Sequence, residues 1–429
     1  MMSSEASKTR NRKTKPRANE SGSVAVIVAI ALPVFLAFAA LAIDLSHLYV
    51  ARNELQNAAD AGALAGARFL YNDSGTSVNE TANQTAKDAA VANKSEKLAV
   101  EVNWESGNEG DVQRGHWSFG LGALARGFYP NASTAPVALW DLSTKELDEN
   151  TDFINAVRVV ARRQNTPVSY IFARIWGNMS KTMSAEGVAY IGFAGTLEPK
   201  NVDQPIAICK ESIIDAEGNY TCGVGRMINS GSNVGHQTGG WTNFTQEPCE
   251  TASTPTIKPL ICADGNPVVI SFGEGMGTTG GMVQSAYDKL LSCWQNNSGL
   301  DTDGDGSPDQ LWSMTLPVIL CPDNNTGNCA TVVGAVELNV IWITRTDKNQ
   351  MKEVPRKVAG WTCPSGSTPA QCWSSFVDYF KLKDVLNNTA ATYEDKTIYF
   401  IPDCTYHEPK GVSGGENFGI LAKIPVLVK

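Results

Sequence analysis

Apolar and polar positions follow two successive patterns over the first 70 residues. Ser21 to Ile43 is a run of 23 residues without a charge, most of them Val, Ala, Ile, Leu and Phe. As a helix rising 1.5 Å per residue, such a run crosses a hydrocarbon core of about 30 Å. Pro33 lies in its middle, where a membrane span tolerates it. Further on, Leu41, Leu45, Leu48, Arg52, Leu55, Ala59, Gly62 and Gly66 fall alternately four and three apart, with Arg52 the one misfit. That spacing is one stripe of a helix, so a continuous helix is predicted from about Ser23 to Leu70. Asp44, Arg52, Asn53, Glu54, Gln56, Asn57 and Asp60 are expected to supply polar surface off the stripe.

The end of this helix, Asn57–Ala67, is almost all Ala and Gly. Ala59, Gly62, Ala63 and Gly66 are the candidate packing residues, because small side chains let another backbone approach closely. Two readings fit: a core stripe inside the chain's own domain, or a face for a partner helix.

Tyr71–Thr85 is polar and predicts a loop, and Ala86–Lys97 a short helix. Period-two alternation in Leu98–Trp104, Asn155–Val159 and Ala185–Ile191 predicts strands. Glu198–Pro205 holds two prolines and sets a domain boundary. The remainder, Ile206–Lys429, is rich in Gly, Asn and Thr. Its β-type runs are Val268–Phe272, Val332–Thr344 and Ile398–Ile401, and its helical segments Tyr287–Trp294 and Trp373–Lys383. The apolar end, Ile420–Val428, is too short and too interrupted to cross a membrane and is expected to close a sheet. The fold class is therefore α+β: a long N-terminal helix, transmembrane in its first half, packed on an antiparallel sheet, followed by a mostly β, disulfide-rich domain. The segments run 1–20, 21–43, 44–200 and 201–429.

Charge gives the span a direction. The net charge is -9, yet residues 1–20 carry six Lys or Arg against two Asp or Glu, leaving 29 basic and 42 acidic residues beyond. The acidic body argues against nucleic-acid binding, which needs a basic face. By the positive-inside rule the basic tail stays cytoplasmic and everything after Asp44 is exported. A cleaved signal peptide is the rival, but the apolar run exceeds an h-region and no small-residue cleavage site breaks it, which favours an uncleaved anchor. All ten cysteines, Cys209, Cys222, Cys249, Cys262, Cys293, Cys321, Cys329, Cys363, Cys372 and Cys404, lie in the last segment. An even count confined to one region predicts disulfides and an oxidising compartment, and no pair has the two-residue spacing of a zinc or redox site.

The sharpest chemical motif is DTDGDGSPD, residues 301–309. Carboxylates at Asp301, Asp303 and Asp305, with Asp309 as a fourth, offer hard oxygens to a structural Ca²⁺, although Trp312 stands where an EF-hand has its bidentate Glu. An acidic surface turn is the other reading. GEGMGTTGG, residues 273–281, lacks the Lys-Ser/Thr of a phosphate loop and is expected to be a flexible exposed loop. The four histidines, His47, His116, His236 and His407, sit in no recognisable catalytic motif, so no catalytic residue is predicted.

Residues 22–67, GSVAVIVAIALPVFLAFAALAIDLSHLYVARNELQNAADAGALAGA, closely resemble the N-terminal module of TadG-like proteins of Flp (tight adherence) pilus systems. The matching features are the central Pro33, then Asp44, Tyr49 and the LQNAADA run of Leu55–Ala61. A looser likeness covers Asn155–Phe193, with NAVRVVARR and AEGVAYIGF. The resemblance implies a bacterial inner-membrane protein with a periplasmic body, working with pilin or other pilus-assembly proteins. Two departures stand. DLSTK at Asp141–Lys145 lacks the last serine of a von Willebrand A metal site, and Gly22 is followed five residues later by Ile27 rather than the Glu of prepilin processing. Three functions are carried forward: assembly or anchoring by protein binding, incorporation into the pilus as a minor subunit or tip adhesin, and an exported hydrolase.

Overall fold

The computed structural model describes residues 21–429 apart from 73–76, 136, 139–141, 223, 230–237, 281–282, 298, 346–350, 384–388, 404–406 and 408. The basic tail, Asp141, His236 and Cys404 therefore lie outside the described residues.

Helix α1 runs from Ser21 to Arg68 without a break at Pro33, a length of about 70 Å. In its first half the large apolar side chains from Val24 to Ile43 are exposed. Its second half is the backbone of a first layer. There follow α2 (Ala82–Val91), β1 (Val112–Ser118), β2 (Gly127–Pro130), α3 (Thr144–Glu149), β3 (Ala156–Ser169) and β4 (Ser180–Tyr190). A second group comprises β5 (Ile206–Cys209), β6 (Arg226–Asn229), β7 (Gly239–Gln246), β8 (Gly275–Thr279), α4 (Gln284–Gln295), β9 (Trp312–Ile319), β10 (Cys329–Thr344), α5 (Pro369–Phe380) and β11 (Thr397–Pro402). The chain ends with β12 (Val426–Leu427).

The first sheet is antiparallel, in the order β12-β4-β3-β1-β2. α1 and α2 lie against it, and Ala63, Ala67, Ala86, Val157, Val159 and Ala189 form their shared core. In the second group, β10 pairs with β9 along Val332–Val340 and with β8 through Cys329–Thr331. β8 pairs with β7, β7 with β5, and β5 runs parallel to β9, which closes a ring of five strands. Closure gives each of those strands a neighbour on both sides. Beyond the ring, β11 and β6 extend from the far end of β10. Ile208, Trp241, Met276, Leu316 and Val336 belong to the core here, while Trp373, Phe376 and Tyr399 form a separate cluster under α5.

The α+β class holds, and the apolar C-terminal segment does close a sheet: β12 pairs with Ala189 and Tyr190 of β4, so the end of the chain returns to the first sheet. Four local expectations are corrected. The buried line of α1 runs through Asp44, Ala51, Leu55, Ala58 and Ala59, leaving Leu45 and Arg52 exposed. Leu41 and Leu45 continue the uncovered apolar surface, so their spacing reports that surface and not the contact with the sheet. α2 starts at Ala82 and not Ala86, because Ala82, Ala86 and Ala90 share the face seated on α1. Strand structure in Leu98–Trp104 is confined to Leu98–Ala99, plus a bridge from Glu101 to Arg162. Lastly, GEGMGTTGG is not an exposed loop, since Gly275–Thr279 is a strand inside the ring. Its glycines are there for clearance: a Cβ on Gly275 would lie 2.4 Å from Cys329 Sγ, and one on Gly277 would lie 2.1 Å from the Glu250 carbonyl oxygen.

Candidate functional site

The small residues of α1 form a seam with the rest of the first layer. A Cβ on Gly62 would lie 2.8 Å from the Ala86 carbonyl oxygen and 2.9 Å from Ala90 Cβ. On Gly66 it would lie 2.7 Å from Ala86 Cβ and 2.8 Å from Val157 Cγ1. The strand side reciprocates at Gly187 of β4, where a Cβ would come within 2.9 Å of the Ala59 and Asp60 backbone. Ala59 and Ala63 are fully buried. The chain itself therefore occupies this face, with α2, β3 and β4 as its partners.

Polar contacts hold α1 to the body above the seam. Gln56 Nε2 donates to the Glu186 carbonyl and to Asp60 Oδ1, both at 2.8 Å. Glu54 accepts the Glu96 N–H at 2.7 Å. The Glu96 carboxylate pairs with His47, and Arg163 reaches it at 3.4 Å. The uppermost tie is Asp44. Its carboxylate accepts the backbone N–H groups of Ile171 at 2.7 Å, Phe172 at 3.1 Å and Ala173 at 2.7 Å, at the start of a 3₁₀ turn spanning Ala173–Trp176. Burial alone would raise its pKa, but these three donors outweigh that and lower it. Asp44 was expected on the polar surface of α1, yet only 3% of it is exposed. The available signal was its position as the first charge after an apolar run, where a carboxylate is costly unless something solvates it.

The NAVRVVARR stretch fixes the sheet. Asn155 brackets Trp117, accepting its N–H at 2.6 Å and donating to its carbonyl at 3.2 Å. Arg158 bonds Glu186 at 3.1 Å and Gln113 at 2.8 Å. Arg162 grips Asp111 through two bonds of 2.7 Å, the fork geometry of a strong charge-assisted pair. Arg163 donates to the Ser95 carbonyl at 2.6 Å. Ser143, from the string near a von Willebrand A motif, caps α3 in a box with Glu146.

In the second group, Asp301, Asp303 and Asp309 offer oxygens within 4.8 Å of one another. A cation already sits among the carboxylates: Lys357 Nζ lies 3.0 Å from Asp303, 2.7 Å from Asp305 and 3.2 Å from Asp309. Asp301 instead accepts the N–H groups of Gly304 and Gly306, at 2.7 Å each. Hydrogen bonds from Thr302, then Lys357, bring the Asp309 pKa down to about 2. Lys357 lowers that of Asp305 as well. The loop borders a cleft of about 500 Å³ that also includes Trp294, Trp342 and Arg356.

Four disulfides join Cys209 to Cys321, Cys249 to Cys329, Cys262 to Cys293, and Cys363 to Cys372. Cys222 is disulfide-bonded too. Among the described histidines, both ring nitrogens of His116 face backbone carbonyls, of Phe153 and Asp148, at 2.8 Å. His47 pairs with Glu96, and His407 lies 3.6 Å from Asp403.

Comparison with known proteins places the first layer. Residues 22–68, α1 with its seam and Asp44, match the family described as Flp pilus-assembly TadE/G-like. Residues 65–189, from the end of α1 through α2 and most of the first sheet, match the family described as Tad-like Flp pilus-assembly. No curated protein and no solved structure matches the chain. The glycine seats, the Asp44 tie and the arginine-bearing strand all fall inside the matched residues, so that over 22–189 the chain is similar to the TadE/G-like and Tad-like families of Flp pilus assembly.

Proposed function

We propose that this chain is a single-pass protein of the bacterial inner membrane, N-terminus in the cytoplasm, whose periplasmic body assembles or anchors the Flp pilus by binding other pilus-assembly proteins or pilin. The observation that carries the reading is the union, within the matched residues, of a helix whose apolar half is uncovered with a body tied to its other half. The basic residues before Ser21 support the direction, and the disulfides support an oxidising compartment on the body's side. A topology reporter fused after Lys429 is expected to be active only outside the cytoplasm; cytoplasmic activity sinks the reading.

One observation favours the second reading, incorporation into the pilus as a minor subunit or tip adhesin: a bare apolar helix continuous with a rigid body could equally pack against other helices in a filament stem. Shearing pili from cells and blotting them beside washed inner membranes separates the two. Retention of the intact chain in the membrane supports assembly or anchoring, and co-purification with filaments supports the subunit.

A structural Ca²⁺ at Asp301, Asp303, Asp305 and Asp309 belongs to the proposal on the strength of its oxygen donors. Lys357 already neutralises three of them, so the ion would have to displace an ammonium and would bind weakly, in the roughly millimolar range of extracellular modules.

A further inference from the structure

The hairpin of β3 and β4 ends in a tip, YIFARIWGNM at residues 170–179, that departs from the burial pattern of the strands below it. Ile171, Ile175, Trp176 and Met179 are all exposed, Ile175 by 76% and Trp176 by 64%. Four large apolar side chains uncovered within nine residues call for a surface to meet.

The Asp44 tie says which surface. Its three hydrogen bonds hold Ile171–Ala173 against α1 at the point where the uncharged run ends. Val24–Ile43 is 20 residues, about 30 Å of helix and hence one hydrocarbon core. Asp44 then sits at the edge of that core, and the tip with it. The backbone of the tip is also prepared for a medium poor in water. Tyr170 N–H donates to the Met179 carbonyl, Ile175 to Phe172, Gly177 to Arg174 and Asn178 to Ala173, while Asp44 takes the N–H groups of Ile171, Phe172 and Ala173. Pairing of seven of its ten backbone N–H groups lowers the cost of entry into a bilayer. The exposed Trp176 and Tyr49 match the aromatic residues of a membrane–water interface, and the exposed Arg174 and Lys181 match lipid phosphates.

We infer that residues 170–179 are a second membrane contact, an apolar tip inserted into the headgroup region of the phospholipid bilayer that α1 crosses. The inference rests on the proposed span. With two attachments the body cannot swivel about α1, and one fixed face of the ring of strands is presented away from the membrane.

The test uses the full chain in nanodiscs of phosphatidylethanolamine and phosphatidylglycerol, carrying one spin label at Ile175→Cys, Leu36→Cys or Glu105→Cys. No free cysteine competes among the described residues. Position 105 serves as the water reference, because its neighbour Gly107 bonds Asn83 of α2, beside Gly62 and Gly66, far down α1 from Asp44. The ratio of collision rates with oxygen and with a nickel chelate reports depth. We expect the ratio at 175 to be several-fold above that at 105 and below that at 36. Asp44→Ala should bring 175 down to the value at 105 and leave 36 unchanged. A water-like 175 with a lipid-embedded 36 overturns the inference alone. A label at 175 shielded from both reagents means contact with a second copy and also overturns it, as does an Asp44→Ala chain in which 175 keeps its depth. A water-like 36 overturns the span reading and the inference with it.

Discussion

Adding one methyl group at Gly62 or Gly66 separates close packing from helix propensity, because the two effects have opposite signs there. In a free helix, Gly→Ala stabilises by about 1 kcal/mol. In the seam, the new Cβ of Gly66→Ala would sit 2.7 Å from Ala86 Cβ and 2.8 Å from Val157 Cγ1. Carbon atoms rest comfortably near 3.5 Å, so the neighbours must move by about 0.7 Å, and overpacking of that kind costs roughly 1–3 kcal/mol. The net expectation at Gly66 is a loss of about 1 kcal/mol, a factor of roughly five in the opening equilibrium. Gly62→Ala should cost more. Its Cβ meets the Ala86 carbonyl oxygen at 2.8 Å, an atom of the α2 backbone that no rotamer change can move aside. A loss nearer 2 kcal/mol, roughly thirty-fold, follows. Both sites press on Ala86, so the double variant should fall short of the sum. The assay is hydrogen exchange of the α2 amides in the full chain, read by mass spectrometry, since α2 is the element that must give. Asn57→Ala, on the exposed side of α1, should leave those amides unchanged. Slower α2 exchange in Gly62→Ala would mean that propensity wins and would refute the close seat of α2 on α1.

Replacing Cys209 and Cys321 by Ala releases a loop of 112 residues, which should cost about 4–5 kcal/mol and lower the denaturant midpoint of the ring of strands; an unchanged midpoint would remove the bridge from any account of stability. Gly275→Val should raise free thiol in a colorimetric titration, because its side chain collides with Cys249 and Cys329, and an intact bridge would contradict the clearance argument. The Asp309 carboxyl should titrate near pH 2 rather than 3.8. Its folded-state pKa is depressed, so the stability it contributes is present above the unfolded value and lost as pH falls from about 4 towards 2; carbon NMR should also find the midpoint raised in Lys357→Met, and a midpoint near 3.8 in the parent would detach the loop from Thr302 and Lys357. Calcium titrated calorimetrically should bind the parent only in the roughly millimolar range and Lys357→Met more tightly; no tightening would argue against a Ca²⁺ among these carboxylates.

What the sequence made legible depended on whether one environment dictated the pattern. α1 was readable as a single helix because apolarity, spacing and small residues agreed over 48 positions. β10 and β11 were readable because strands buried in the second group are rich in β-branched and other apolar residues, as Val332–Thr344 is despite Glu337 and Asn339. Legibility failed where a residue answers to a neighbour far along the chain. Nothing beside Asp44 announces that residues 171–173 will supply its donors, 127 to 129 positions away. Nothing beside Gly275 announces the disulfide above it, and a glycine placed for clearance looks the same in sequence as one placed for a loop. In the acidic loop, alternating carboxylates suggested a cation, and the Lys357 beside them comes from a hairpin some 50 residues on.

The match to known families ends near Ala189, but the structural unit does not. β12 hydrogen-bonds Ala189 and Tyr190, and the segment before it bridges Phe193 to Leu421 and Val336 to Gly419, so the end of the chain is laced to β4 and to β10 of the ring. Leu421 and Ala422 lie in the same core as Ala63 and Val157. The second group is therefore fastened to the helix-bearing layer at both of its ends, through Thr196–Ile206 on entry and Ile420–Leu427 on return. A load on the ring can pass by that route into β4, whose Gly187 sits directly on α1 at Ala59 and Asp60. If the proposed function holds, this connection fixes the angle between the ring and α1, and the seam at Gly62, Gly66 and Gly187 is the place where that angle is set.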